Sequence, residues 1–257
     1  MEMSGLMGGF YRISEWVMRI VVTNLLWLFF NLPTIYFTFN ILLAQEYFFE
    51  ALFVNMIAIG ILSPFILFPA TAAAFSVVRK WVMGDLDVPL LKTFLRGFKS
   101  NYKMSMFGGF VLVPLWALFV FDYFYYVNAV SSVLNYVFIV LGVILLAITI
   151  NFFSMTVHFH MKFWTLLKNA ALITVGRPLI SAGIVIVTFA LVYLSIAVFT
   201  WMIPFCAVSL IAYFSFRGFY IIYSKVQEIK EQEEEKRLLE EPESEELGTD
   251  EMVTDPK

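Results

Sequence analysis

Long stretches without a formal charge alternate with short charged segments along this chain. Residues 21–45, 51–78, 104–121, 123–161 and 178–216 carry none, with histidine counted as neutral. Inside these stretches the apolar positions run on continuously. The period-2 alternation of a barrel strand, about 10 residues long, is not the pattern. A helix crossing the hydrocarbon needs about 20 residues at about 1.5 Å each. Each of the first three stretches predicts one such helix. The fourth opens with a Tyr-, Asn- and Ser-bearing segment, 123–132, which reads as an aromatic interface and short loop. Its span is then 133–157. The fifth is almost twice the membrane thickness as one helix. It predicts two spans, 179–197 and 202–220, turning near Thr200 and Trp201. The pattern as a whole predicts an all-α, polytopic helical membrane protein with six transmembrane helices. Five is the alternative, with the last stretch only partly inserted.

Prolines modify these helices. Pro64 and Pro69 predict a break in the second span over 63–70, followed by close packing of Ala70–Ala74 on a neighbour. Asn24, Asn31, Thr149 and Asn151 fall within spans, where interhelical hydrogen bonding is their default use. Asn24, Pro33, Pro69 and Thr71 are the helix-packing candidates.

Between the second and third spans, Leu90, Leu91, Phe94, Leu95, Phe98 and Tyr102 recur at helical spacing. Lys92, Arg96, Lys99 and Lys103 form a second stripe. This predicts a short amphipathic helix in the membrane interface, its aromatic face in lipid and its cations near anionic headgroups. The same surface suits a cytoplasmic partner, and Phe94, Arg96, Phe98, Lys99 and Lys103 are the partner or interface candidates. Weaker amphipathic pieces occur at the N-terminus (Leu6, Phe10, Ile13, Val17) and over 158–177.

Charge then fixes an expected orientation. With six spans, all 17 Lys and Arg residues fall on one side, and Glu46, Glu50 and Asp122 on the other. The positive-inside rule therefore predicts that both termini are cytoplasmic. From Lys225 onward, 13 acidic residues face 5 basic ones. The predicted organisation is an amphipathic cytoplasmic segment over 1–19, a six-helix membrane domain over 20–224, and an acidic cytoplasmic tail over 225–257. The tail is expected to be helical until Pro242 and disordered beyond it.

Composition narrows the function. Apolar residues make up 61% of the 257 and charged residues 14%, against about 45–50% and about 25% in soluble domains. An ordinary soluble enzyme is excluded. Cys206 is the single cysteine, so neither an internal disulfide nor a thiolate zinc site can form. His158 and His160 would point about 200° apart on a helix and share no metal face. No nucleotide loop, zincin motif or nucleophile elbow occurs. The expectation is a non-enzymatic protein with no catalytic residue, metal or cofactor, and no nucleic-acid partner.

Several segments together resemble the YesL family of small bacterial integral membrane proteins. They are Asn24-Leu-Leu-Trp27 with Asn31-Leu-Pro33, and Pro69-Ala-Thr-Ala-Ala73. Arg79 and Gly84 then precede Thr93-Phe-Leu-Arg-Gly-Phe-Lys-Ser-Asn-Tyr-Lys103. The resemblance covers about residues 5–225. It departs at Phe68, where the family form has glycine. Such proteins are often encoded beside carbohydrate ABC-transport components and glycan-degrading enzymes in Gram-positive bacteria. The resemblance therefore implies an accessory subunit or regulator of sugar uptake in the bacterial cytoplasmic membrane. Its implied partners are the lipid bilayer, ABC permease or ATPase subunits, or a second copy of itself. An independent small-solute transporter or channel is the alternative.

Overall fold

The computed structural model describes residues 6–44, 47–129 and 132–250. They are almost entirely helical: α1 (Leu6–Phe30), α2 (Leu32–Leu43), α3 (Phe48–Leu62), α4 (Leu67–Val82), α5 (Leu90–Ala129), α6 (Ser132–His158), α7 (Phe163–Gly176), α8 (Pro178–Tyr193), α9 (Met202–Phe205) and α10 (Ala207–Asp250). A π-helical turn, Leu194–Val198, extends α8. By length and composition, α1, α5, α6, α10 and α8 together with its π-helical turn are each able to cross a bilayer. A sixth span forms when α3 and α4, bent by 55°, count as one. The chain divides within α10 into two compact units, residues 1–219 and 220–257.

The bend between α3 and α4 falls over Ser63–Ile66, inside the predicted break. Pro64 and Pro69 lack amide donors, so the ladder cannot continue through them. The Phe68 amide bonds instead to the Ser63 carbonyl, five residues back, at 2.9 Å. The bend is seated on α5 at Gly109, where a Cβ would lie 2.5 Å from the Pro64 backbone. Beyond it, Ala70, Ala72, Ala73 and Ala74 are fully enclosed. Small residues let helix backbones approach closely where lipid is as apolar as the side chains. Gly97 of α5 answers them: a Cβ there would meet Ser76 at 2.6 Å. Phe68 packs against Phe153 of α6, ring centroids 5.2 Å apart, filling the core where the resembled family has glycine.

The last stretch turns where expected. The π-helical turn ends at Val198, Thr200 and Trp201 form the turn, and α9 starts at Met202. Ser209 and Tyr213 of α10 lie beside Ile20 and Trp16 of α1. The two helices therefore run antiparallel.

Four expectations need correction. The boundary between residues 19 and 20 is no structural break, because α1 runs across it from Leu6. The first stretch is instead divided at Asn31, since Pro33 cannot donate to the helix before it. Segment 89–103 forms no separate helix. It is the first third of α5, a 40-residue helix about 60 Å long. Finally, α10 passes through Pro242 and extends to Asp250. The proline removes one donor, whose partner would be the Leu238 carbonyl.

The second unit is described by its own helix. Gln227 donates to the Tyr223 hydroxyl at 2.8 Å, and residues 228–237 are exposed.

Candidate functional site

A polar concavity lies at the α4–α5 elbow. The end of α4 is closed by Gly84, at φ 91°, the only positive φ among the described residues. The Gly84 amide donates to Trp81 O at 3.1 Å and the Asp85 amide to Lys80 O at 2.9 Å. This paired pattern is a Schellman stop, which favours glycine in the left-handed position. The chain then runs outside any helix to Pro89, whose fixed φ suits the start of α5. The reversal brings Arg79 and Lys80 of α4 against Lys92 and Arg96 of α5, around a cavity of about 440 Å³. Asp85 is its one carboxylate and pairs with Lys80 at 3.2 Å. Thr93, Ser76, Ser100 and Asn101 add polar walls, and His160 joins from beyond α6.

Other chain segments hold this elbow. Arg19 of α1 is buried; it donates to Glu15 at 2.6 Å and to Asp87 of the elbow at 3.3 Å. Asn101 donates to the Ser76 hydroxyl at 3.0 Å, tying α5 to α4. The N-terminal helix, the 79–103 segment and His160 beyond α6 therefore meet at one end of the bundle.

The candidate residues separate into groups. Phe94 is fully buried, 5.4 Å from Phe30 of α1, and Phe98 lies 4.8 Å from the same ring. The aromatic face of the amphipathic run thus packs on protein, which overturns the expectation that it lies in lipid. A helix continuous with a span is held against the bundle, and its apolar stripe follows α1. Arg96 lines the cavity, while Lys99 and Lys103 are exposed on α5 outside it.

Among the packing candidates, Asn24 joins two broken helices. Its amide donates to the carbonyls of Ile203 and Pro204 at 3.0 and 2.7 Å. Its carbonyl accepts from the amides of Val208 and Ser209 at 2.9 and 3.3 Å. One side chain thereby serves the orphan groups at the α9–α10 break. Thr71 accepts from the Trp27 indole at 3.1 Å. Pro69 is buried in α4. Pro33 is exposed and starts α2, so its role is to set a helix start and not to pack between helices.

Arg79, Lys80, Lys92 and Thr93 were not among the candidate site residues: Lys92 was read as part of a basic stripe, and Arg79 and Thr93 only as carriers of the family resemblance. The available signal was the pairing of cations on both flanks of Gly84. Among the described residues, no group of three or more His, Cys, Asp or Glu side chains forms a metal site.

These features define a polytopic α-helical membrane protein with a basic elbow at one end. A family described as "Protein of unknown function, DUF624" matches residues 20–123, which carry the four cavity cations. Uncharacterized protein YteU of Bacillus subtilis (strain 168) is 30% identical over 230 residues, 89% of this chain and 91% of that one. Uncharacterized protein YesL of the same organism is 28% identical over 174 residues, 67% of this chain and 70% of its own. Uncharacterized protein YesV is 27% identical over 158 residues, 59% of this chain and 76% of its own. The chain belongs to the DUF624 family, as the YesL resemblance led us to expect. No solved structure matches it.

Proposed function

We propose that this chain is a non-enzymatic accessory subunit or regulator of a carbohydrate ABC transport system. In this reading it sits in the bacterial cytoplasmic membrane with both termini in the cytoplasm. The observation that carries the reading is the convergence of basic segments at one end of the bundle, through Arg19–Asp87 and the cavity shared by Arg79, Lys92 and His160. A positive end favours the cytoplasmic side. Beside it, exposed Lys99 and Lys103 offer a membrane-proximal docking stripe for a partner subunit. The carbohydrate system itself rests on the family resemblance.

The test is crosslinking and affinity capture of the tagged full chain from its native membrane, read by mass spectrometry. Recovery of ABC permease or ATPase subunits is expected. It should fall in a Lys99→Glu/Lys103→Glu variant and persist when intramembrane Asn151 alone is changed. Recovery of the chain alone, from membranes in which known transporter complexes stay intact, sinks the proposal.

A second reading, an independent small-solute carrier, draws on the bent α3–α4 pair and a neighbouring cavity. That cavity, about 350 Å³, is lined by Ser63, Thr71, Trp116 and Thr149 together with apolar side chains. Broken helices occur at transport sites. Flux of a sugar or ion into liposomes bearing only this protein would favour this reading over the first.

A further inference from the structure

The basic elbow has the chemistry of an anion site. Its cavity presents four cations against one carboxylate, and that carboxylate is already paired. The start of α5 forms part of the wall. Its first intrahelical bond runs from Thr93 to the Pro89 carbonyl. The amides of Leu90, Leu91 and Lys92 precede it and have no intrahelical acceptor. The first turn of this 40-residue helix, with its partial positive charge, therefore lies beside the cations through Lys92 and Thr93. Thr93 and Ser100 add hydroxyl groups to the wall.

An independent observation comes from Arg79. Its Nε is buried and has no hydrogen-bond partner among the described residues. A buried donor left unpaired costs about 1–3 kcal/mol, more when charged. Arg79 also lines the polar cavity, which has room for an acceptor. Two guanidinium and two ammonium groups around one space, beside the first turn of a helix, suit a multivalent oxyanion. Arg supplies a planar fork of donors and Lys a compact charge.

We propose that this cavity binds a phosphate group, carried either by the headgroup of an anionic phospholipid or by a soluble phosphate ester. The proposal is independent of the transporter assignment. At the end of a membrane bundle, both sources can reach the site. A headgroup would arrive from the leaflet beside α5, and a soluble ester from the aqueous phase.

The test is thermal unfolding of the purified full chain in neutral detergent, titrated in two arms. One arm uses phosphatidylglycerol, with phosphatidylcholine as its control. The other uses inorganic pyrophosphate, with chloride at matched ionic strength. Because Arg79→Gln could fail to fold, the diagnostic variant is Lys92→Gln/Arg96→Gln, both exposed at the cavity rim. Lys162→Gln/Lys168→Gln removes the same charge from exposed positions outside the cavity. Apparent affinity for at least one probe is expected to fall about tenfold in the rim variant and by less than about twofold in the control. Stabilisation in the lipid arm alone assigns the headgroup, and in the pyrophosphate arm alone the soluble ester. Saturable stabilisation in neither arm, or equal losses in both variants, would overturn the proposal.

Discussion

At the scale of single residues, most hydroxyl side chains inside the bundle bond back to the carbonyl four residues earlier, whereas Asn24 repairs a broken helix. Asn24 was recognisable in the sequence as a polar residue in an apolar run. Its partners were not, because they lie 179 to 185 positions away. A short polar side chain states that it needs hydrogen bonds, but not with which strand of a distant turn. Replacing Asn24 with Leu leaves two carbonyls and two amides without their side-chain partner. The expected loss is about 1–3 kcal/mol, seen as a lowered unfolding midpoint in detergent. An unchanged midpoint would show that the α9–α10 break does not depend on this contact. Asn151, bonded to Thr174 at 2.9 Å, makes a single interhelical bond. Such bonds average about 0.6 kcal/mol in membranes.

At the scale of elements, α5 is where sequence and structure differ most. Periodicity correctly marked Leu90–Lys103 as an amphipathic helix. It could not tell an apolar stripe facing lipid from one facing protein, since both demand the same residues. Continuity with the third span decides the matter, because a single rigid helix carries Phe94 onto Phe30. The two readings separate experimentally. Phe94→Ala is expected to cost about 3–5 kcal/mol, as an emptied buried site does. Leu95→Ala, on the exposed side of the same turn, is expected to change stability by less than about 0.5 kcal/mol. Equal small losses for both would return the aromatic face to the lipid. The α3–α4 bend was legible for a different reason. Proline states its lack of a donor wherever it occurs, so Pro64 and Pro69 mark a break without knowledge of any neighbour. Gly109, which receives that bend, and Gly97, which receives Ser76 further along α4, carried no comparable sign. A helix glycine shows its purpose only when the opposing backbone is in view.

At the scale of the whole molecule, the helical class and the bundle were legible because hydrophobic length is a one-dimensional signal. The basic cavity was not. Its cations were counted toward orientation one by one, and their convergence depends on the reversal at Gly84. The same charges therefore act twice, as a topological signal along the chain and as a shared electrostatic field in space. Arg19 shows the link between the two. It belongs to the N-terminal basic segment, yet it is buried against the elbow through Asp87. The functional proposal depends on the side of the membrane that this basic end faces.

That dependence is tested most directly by cysteine accessibility in intact cells. Cys206 is replaced with Ser, and single cysteines are placed at Glu50 and at Lys99, both exposed. A membrane-impermeant maleimide is expected to label position 50 in intact cells and position 99 only after permeabilisation. Labelling of position 99 in intact cells, or of both positions from the same side, would contradict a cytoplasmic basic end.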